Sequence, residues 1–97
     1  MRLRWSDRAG AELKDIGRYI RRDNPEAARK WVARLRQRAR AAARSPLAGR
    51  VVPEFGRDEI REVLLGNYRI VYRVEEKALT VLTVFEGHRL LRTGVTP

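Results

Sequence analysis

The sequence predicts an α+β domain in the order β-α-α-β-β-β, with an N-terminal helical hairpin packed on one face of a mainly antiparallel sheet. Three observations carry this. Residues 59–89 read as three consecutive strands joined by two tight turns. The stretches Ser6–Arg22 and Pro25–Arg44 place apolar residues at helical spacing. A Ser45-Pro46 step separates the two regimes, because proline disfavours helical geometry in the residue before it.

Taken in order, Leu3–Trp5 forms a short first strand. Ser6 caps a helix that runs to about Arg22, with Ala9, Leu13, Ile16 and Ile20 as its buried stripe. Asp23-Asn24-Pro25 breaks that helix. Asn24 caps the next, and Pro25 suits its first turn. The second helix extends to about Arg44. Its stripe is Ala28, Val32, Leu35, Ala39 and Ala42, with Trp31 beside it and Arg29, Arg36, Arg40 and Arg44 mostly off it. Leu47–Arg50 is a loop, and Val51–Phe55 an edge strand interrupted by Pro53.

The remaining strands are Ile60–Leu65, Tyr68–Val74 and Leu79–Phe85. Gly66-Asn67 is a strong hairpin signal, because both residues tolerate positive φ; Glu75-Glu76-Lys77 is a weaker polar turn. Side chains alternate along a strand, so Tyr68, Ile70, Tyr72 and Val74 share one side, and Arg69, Val71 and Arg73 the other. Arg61, Arg69 and Arg73 stand at spacings that gather cations on one sheet face, with His88 and Arg89 just past the last strand. That pattern suits an anionic ligand or an acidic partner. Thr93–Pro97 reads as a frayed tail.

With 97 residues the chain is expected to form one domain, 1–97, with one modest core that a partner can complete. No apolar run approaches the roughly 18–20 residues of a membrane span, and the N-terminus has no hydrophobic signal region. There is no cysteine, which excludes disulfides and thiolate metal sites and fits the cytoplasm. No cofactor or metal is expected. The net charge is +10, and all of the excess lies in residues 1–50, with 15 Lys/Arg against 5 Asp/Glu; residues 51–97 hold 7 against 7. Such a half is either a polyanion footprint, a docking face for an acidic protein, or a solvated helix face in an arginine-biased composition.

Six segments carry a resemblance: DIGRYI (Asp15–Ile20), NPEAA (Asn24–Ala28), SPLAGRVVPEF (Ser45–Phe55), IRE (Ile60–Glu62), GNYRIVYRV (Gly66–Val74) and GHR (Gly87–Arg89). In this order the chain resembles the RelE/ParE superfamily of bacterial type II toxin–antitoxin systems over about residues 3–92. The resemblance implies a toxin held inactive by a cognate antitoxin whose C-terminal segment wraps it. RelE-like members cut mRNA on the ribosome, whereas ParE-like members poison DNA gyrase and lack the nuclease residues. NPEAA, the GR..PE pattern and GNYRIVYRV look more like the ParE branch. The expected partners are therefore an acidic antitoxin and DNA gyrase, or alternatively the ribosome and mRNA. The basic second helix and the Gly87–Arg92 segment are the favoured contact surface.

A nuclease needs a base for the 2′-hydroxyl, an acid for the leaving oxygen and cations for the phosphorane. Glu54 is the candidate base and His88 the candidate acid; Arg61, Arg69, Arg73 and Arg89 can hold phosphate. The lysine-rich patch of other RelE-like nucleases is absent, as is their C-terminal aromatic, Phe85 being the last ring. The same residues have a structural reading. Glu54 can be a salt-bridge residue and His88 a strand-end histidine, while Arg61 and Arg73 can pair with Glu62, Glu75 or Glu86. A third possibility is a nucleic-acid-binding module built on the helical arginines, with steep salt dependence.

Overall fold

The computed structural model describes residues 1–87 and residue 95. Its elements are β1 (Arg2–Trp5), α1 (Asp7–Arg21), α2 (Pro25–Arg44), a short 3-10 turn (Pro46–Ala48), β2 (Arg50–Val51), β3 (Ile60–Leu65), β4 (Tyr68–Val74) and β5 (Ala78–Glu86). The five strands form one sheet in the order β1-β5-β4-β3-β2. β1 runs parallel to β5, and every other pairing is antiparallel. The expected α+β class, helical hairpin and mainly antiparallel sheet are all present.

Local chemistry explains the helix ends. The Ser6 hydroxyl accepts a hydrogen bond from the Ala9 N–H at 3.0 Å, and the Asn24 side chain accepts from Ala27 N–H at 3.0 Å. Each satisfies one of the donors that the first helical turn leaves unpaired. Pro25 occupies the first turn of α2, where no N–H is needed.

The main core lies between the helices and the sheet. Ala9 and Leu13 of α1 and Leu35, Ala39 and Ala42 of α2 meet Val63, Ile70, Tyr72, Leu79, Val81 and Val84. A smaller cluster lies on the other sheet face, where Val52, Ile60, Val71, Leu82 and Phe85 are covered by Phe55 and Val95. The residues after β2 supply this cover. Val52 N–H donates to Ile60 O at 3.1 Å, and the Val52 carbonyl then accepts from the N–H groups of Phe55 and Gly56. The expected edge strand Val51–Phe55 is thus cut to two residues, Arg50–Val51. Pro53 cannot donate to a ladder, so the chain turns there instead of extending.

The β3–β4 turn needs a positive φ only at Gly66 (φ 56). Positive φ at the first central residue alone is the II′ hairpin pattern. Gly66 is also excluded from bearing a side chain, because a Cβ there would stand 2.9 Å from the Trp31 ring.

One irregularity was hidden in the sequence. The β4–β5 register slips between Val71 and Tyr72, which pair with Thr83 and Val81 and leave Leu82 as an extra residue. As in a β-bulge, the alternation resets: Leu82 joins the smaller cluster, yet Val84 joins the main core. Helix α1 satisfies the groups that the slip displaces. Ser6 Oγ donates to Leu82 O at 3.1 Å, and the Glu12 carboxylate accepts from Thr83 Oγ1 at 2.7 Å and Val84 N–H at 3.0 Å.

Candidate functional site

The three sheet arginines do not share one face. Arg69 and Arg73 lie on the face away from the helices, because β4 alternates from Ile70 and Tyr72, which are in the helix-side core. Arg61 pairs across the ladder with Tyr72, and so lies on the helix side. Its guanidinium donates to three backbone carbonyls, Asp58 O at 2.8 Å, Gly49 O at 2.9 Å and Leu47 O at 3.3 Å. Arg61 therefore ties down the loop before β2, and it makes no ion pair with Glu62. The expected single cationic face is corrected accordingly.

Arg69 belongs to a chain of alternating charges. Its Nε donates to Glu62 Oε1 at 2.6 Å, and its two terminal nitrogens donate to the two Glu54 oxygens at 3.1 Å each. The other Glu62 oxygen accepts from Arg50 Nε. The Arg69 and Glu62 side chains are 7% and 0% exposed, so the centre of this network sits inside the protein, while Glu54 reaches the surface and Arg50 lies mostly in solvent. The guanidinium also stacks over Phe85, 5.1 Å from the ring centre. Burial alone would lower the Arg69 pKa, but the hydrogen bonds it donates to Glu54 and Glu62, with their negative charge, outweigh it and the net shift is upward. Arg69 stays charged.

Arg73 pairs with Glu75 at 3.0 Å, as one structural reading of the sequence expects. Glu75 Oε1 also accepts from Thr80 Oγ1 at 2.7 Å. That hydrogen bond and then Arg73 hold the Glu75 carboxyl below its ordinary value. His88 and Arg89 lie outside the described residues.

For catalysis the consequence is specific. Glu54, the candidate base, has both carboxylate oxygens on Arg69, and Arg69 is too buried to lie along a phosphate. Arg61 is spent on carbonyls across the sheet. The structure thus brings Glu54 and Arg69 together, but as partners of each other.

The helical hairpin offers a different surface, legible in the sequence only as a basic second helix. Between α1 and α2 runs a groove of about 590 Å³. Lys14, Arg18 and Arg21 from α1 and Arg29 and Arg36 from α2 line it, over a floor that includes Leu13, Ala28 and Val32. Gly17 allows the close approach, since a Cβ there would stand 3.1 Å from Val32 Cγ2. Of the five cations only Arg18 has an ion pair among the described residues, an exposed contact of 3.4 Å to Asp15. At the end of the hairpin Trp31 packs edge-on to Tyr68 at 5.7 Å and beneath Arg34 at 4.9 Å. Among the described residues no helix is long and apolar enough to cross a membrane.

Tyr72 supplies a test of the packing beside the Arg61 anchor. Its ring is fully buried and its hydroxyl donates to Pro46 O at 2.6 Å. Burial pushes its pKa above the ordinary 10.0, opposed by the charge of Arg61. A raised folded-state pKa gives stability that is complete below the unfolded value and lost as pH rises through the folded one. The melting temperature of the native chain should therefore fall more steeply above about pH 10 than that of Tyr72→Phe. Thermal melts across the alkaline range check this; parallel curves would contradict it.

Comparison with known proteins agrees with this architecture. The family model described as ParE toxin of type II toxin-antitoxin system, parDE, matches residues 3–91. A curated protein of Sinorhizobium fredii (strain NBRC 101917 / NGR234), named "Putative toxin Y4kP", is 38% identical over 91 residues, covering 91% of this chain and 90% of that protein. A solved structure, "Chromosomal ParDE TA system from P. aeruginosa", superposes with a TM-score of 0.73 at 24% identity, covering 89% of this chain and 95% of the other. The family match spans nearly the whole chain and the fold is shared, and on that basis the chain belongs to the ParE toxin family of type II toxin–antitoxin systems.

Proposed function

We propose that this toxin arrests growth by binding DNA gyrase and trapping its cleaved-DNA intermediate, without covalent chemistry of its own. The observation that supports this most directly is the mutual engagement of Glu54 and Arg69. A ribonuclease would need that carboxylate aimed at a 2′-hydroxyl and that guanidinium aimed at a phosphate. Here both oxygens of the partly exposed Glu54 carboxylate lie on the buried Arg69 guanidinium instead. Membership of the ParE family supports gyrase as the target. The toxin acts in the cytoplasm and is silenced by an acidic antitoxin, whose charge complements the +10 of this chain.

Paired assays on purified toxin test the reading. The expected result is loss of gyrase supercoiling with accumulated cleaved DNA, and intact mRNA on programmed ribosomes. Cut mRNA with normal supercoiling would overturn it, and would return Glu54, His88 and the arginines to candidacy as a nuclease site.

A further inference from the structure

The outward face of α2 carries a charge pattern of its own. Between residues 29 and 44 the helix holds seven Lys/Arg and no Asp/Glu, and its one carboxylate, Glu26, stands in the first turn. Among the described residues none of the seven forms an ion pair. Positions four apart lie along one row of a helix surface, so the exposed cations fall into two rows. Lys30, Arg34 and Arg38 make one, and Arg36, Arg40 and Arg44 the other. Between them run Ala33, Gln37 and Ala41, an uncharged and low strip. Two of the cations are held in place, Arg34 over the Trp31 ring at 4.9 Å and Arg38 by donation from Nε to Leu64 O at 3.2 Å. Like charges four apart disfavour a helix, and that repulsion is relieved when anions lie along the rows.

The dimensions select the anion. Each row spans eight residue steps, about 12 Å. The rows flank a cylinder about 10–12 Å wide. The major groove of duplex DNA is about 12 Å wide and has phosphates along both walls. An acidic protein segment would need a large apolar anchor point between its charges, and Ala33, Gln37 and Ala41 offer little area for one. An unpaired base would need an open ring, whereas Trp31 lies beneath Arg34 and packs against Tyr68. We propose that the outward face of α2 binds duplex DNA through its phosphates, with one cation row on each strand. The contact does not depend on the gyrase reading. Where gyrase is the target, it gives the toxin a hold on the DNA as well as on the enzyme.

Fluorescence anisotropy of a labelled duplex of about 20 base pairs, titrated with the full-length toxin over a range of salt concentrations, tests it. Each phosphate contact contributes about −0.9 to the slope of log affinity against log salt, so six contacts give about −5. Lys30→Gln/Arg34→Gln takes two cations from one row and Arg40→Gln/Arg44→Gln two from the other. Each is expected to make the slope shallower by about 2. The control is Arg2→Gln/Arg4→Gln, which removes the same charge from the sheet face away from the helices, since Leu3 and Trp5 pack on the helix side. It should leave the slope nearly unchanged. Gln37→Glu sets a carboxylate in the strip and should weaken binding about tenfold or more, beyond the control, although it changes the net charge by less. Circular dichroism confirms that each variant is folded. A flat salt dependence of the wild type, or an equal change of slope in the control, would overturn the proposal. Equal affinity for a single strand of the same length would overturn the two-strand geometry. Variants of α2 that keep DNA but lose the cognate antitoxin would reassign the face to an acidic protein. Supercoiling assays on the same proteins keep the two readings apart: inhibition of gyrase by a toxin that does not bind the duplex would sink this contact and leave the gyrase target standing.

Discussion

Replacing Arg69 with methionine should destabilise the fold by about 3–5 kcal/mol, read as a fall in the urea midpoint at neutral pH. Among the described residues Arg69 is the cation that bridges Glu54 and Glu62. Without it the fully buried Glu62 keeps one cation, Arg50, whose own side chain is largely in solvent. A buried carboxylate left with that one exposed partner, on the sheet face of Val71, Leu82 and Phe85, carries much of its desolvation penalty unrelieved. A domain of this length has a total stability on the order of 5–15 kcal/mol, so the loss is a large part of it. The double variant Arg69→Met/Glu62→Leu should recover most of the deficit. It removes both buried charges and leaves Glu54 and Arg50 near solvent, and well-packed apolar replacements of buried pairs are often neutral. A single variant within about 1 kcal/mol of wild type would mean that the network is solvated and does not hold this face together.

The second large effect is expected at Gly49. A Cβ there would collide with the Tyr72 hydroxyl and would lie 2.8 Å from the Glu62 carbonyl and 3.1 Å from Tyr72 Cζ. None of these atoms moves easily. The Tyr72 ring is fully buried and tethered to Pro46, and the Glu62 carbonyl belongs to a strand. Gly49→Ala should therefore cost about 3 kcal/mol, the upper end for overpacking. The nearest clash is with a hydroxyl, so Tyr72→Phe should relieve part of that cost. A double-mutant cycle from denaturant midpoints would show the two changes to be coupled by more than about 0.5 kcal/mol. Strict additivity would place the strain elsewhere.

Much of this architecture is legible in the sequence, for stated reasons. Ser6 and Asn24 mark helix starts through hydrogen bonds that they do make, Pro25 through the N–H that the first turn does not need, and the β3–β4 turn follows from Gly66-Asn67. The shared face of Arg69, Val71 and Arg73 follows from alternation alone. Two site features were also within reach but need the hairpin register. Counting outward from Gly66-Asn67 pairs Leu65 with Tyr68, Glu62 with Val71 and Arg61 with Tyr72. That count moves Arg61 to the helix side and sets Glu62 diagonal to Arg69 on the far side. The slip at Leu82 has no such signal. Ala78–Glu86 is so nearly all apolar or Thr that both faces read alike, and no break in pattern marks the extra residue. The groove was only half visible: the arginines announce a basic face, but its apolar floor exists only once α1 and α2 are set side by side.

The parallel pairing of β1 with β5 sets a timetable for the newborn toxin. Among the described residues β1 is at the sheet edge with β5 as its one strand neighbour, and Ser6 and Glu12 reach residues more than seventy positions away. None of these partners exists until the last strand has been made. At about 5–20 residues per second, the chain spends several seconds as a helical hairpin still lacking the sheet that anchors it. Assembly of the sheet is thus tied to synthesis of β5, so a chain released before that strand lacks the finished sheet. An antitoxin already present in the same cell has that interval in which to meet its target before the target is whole.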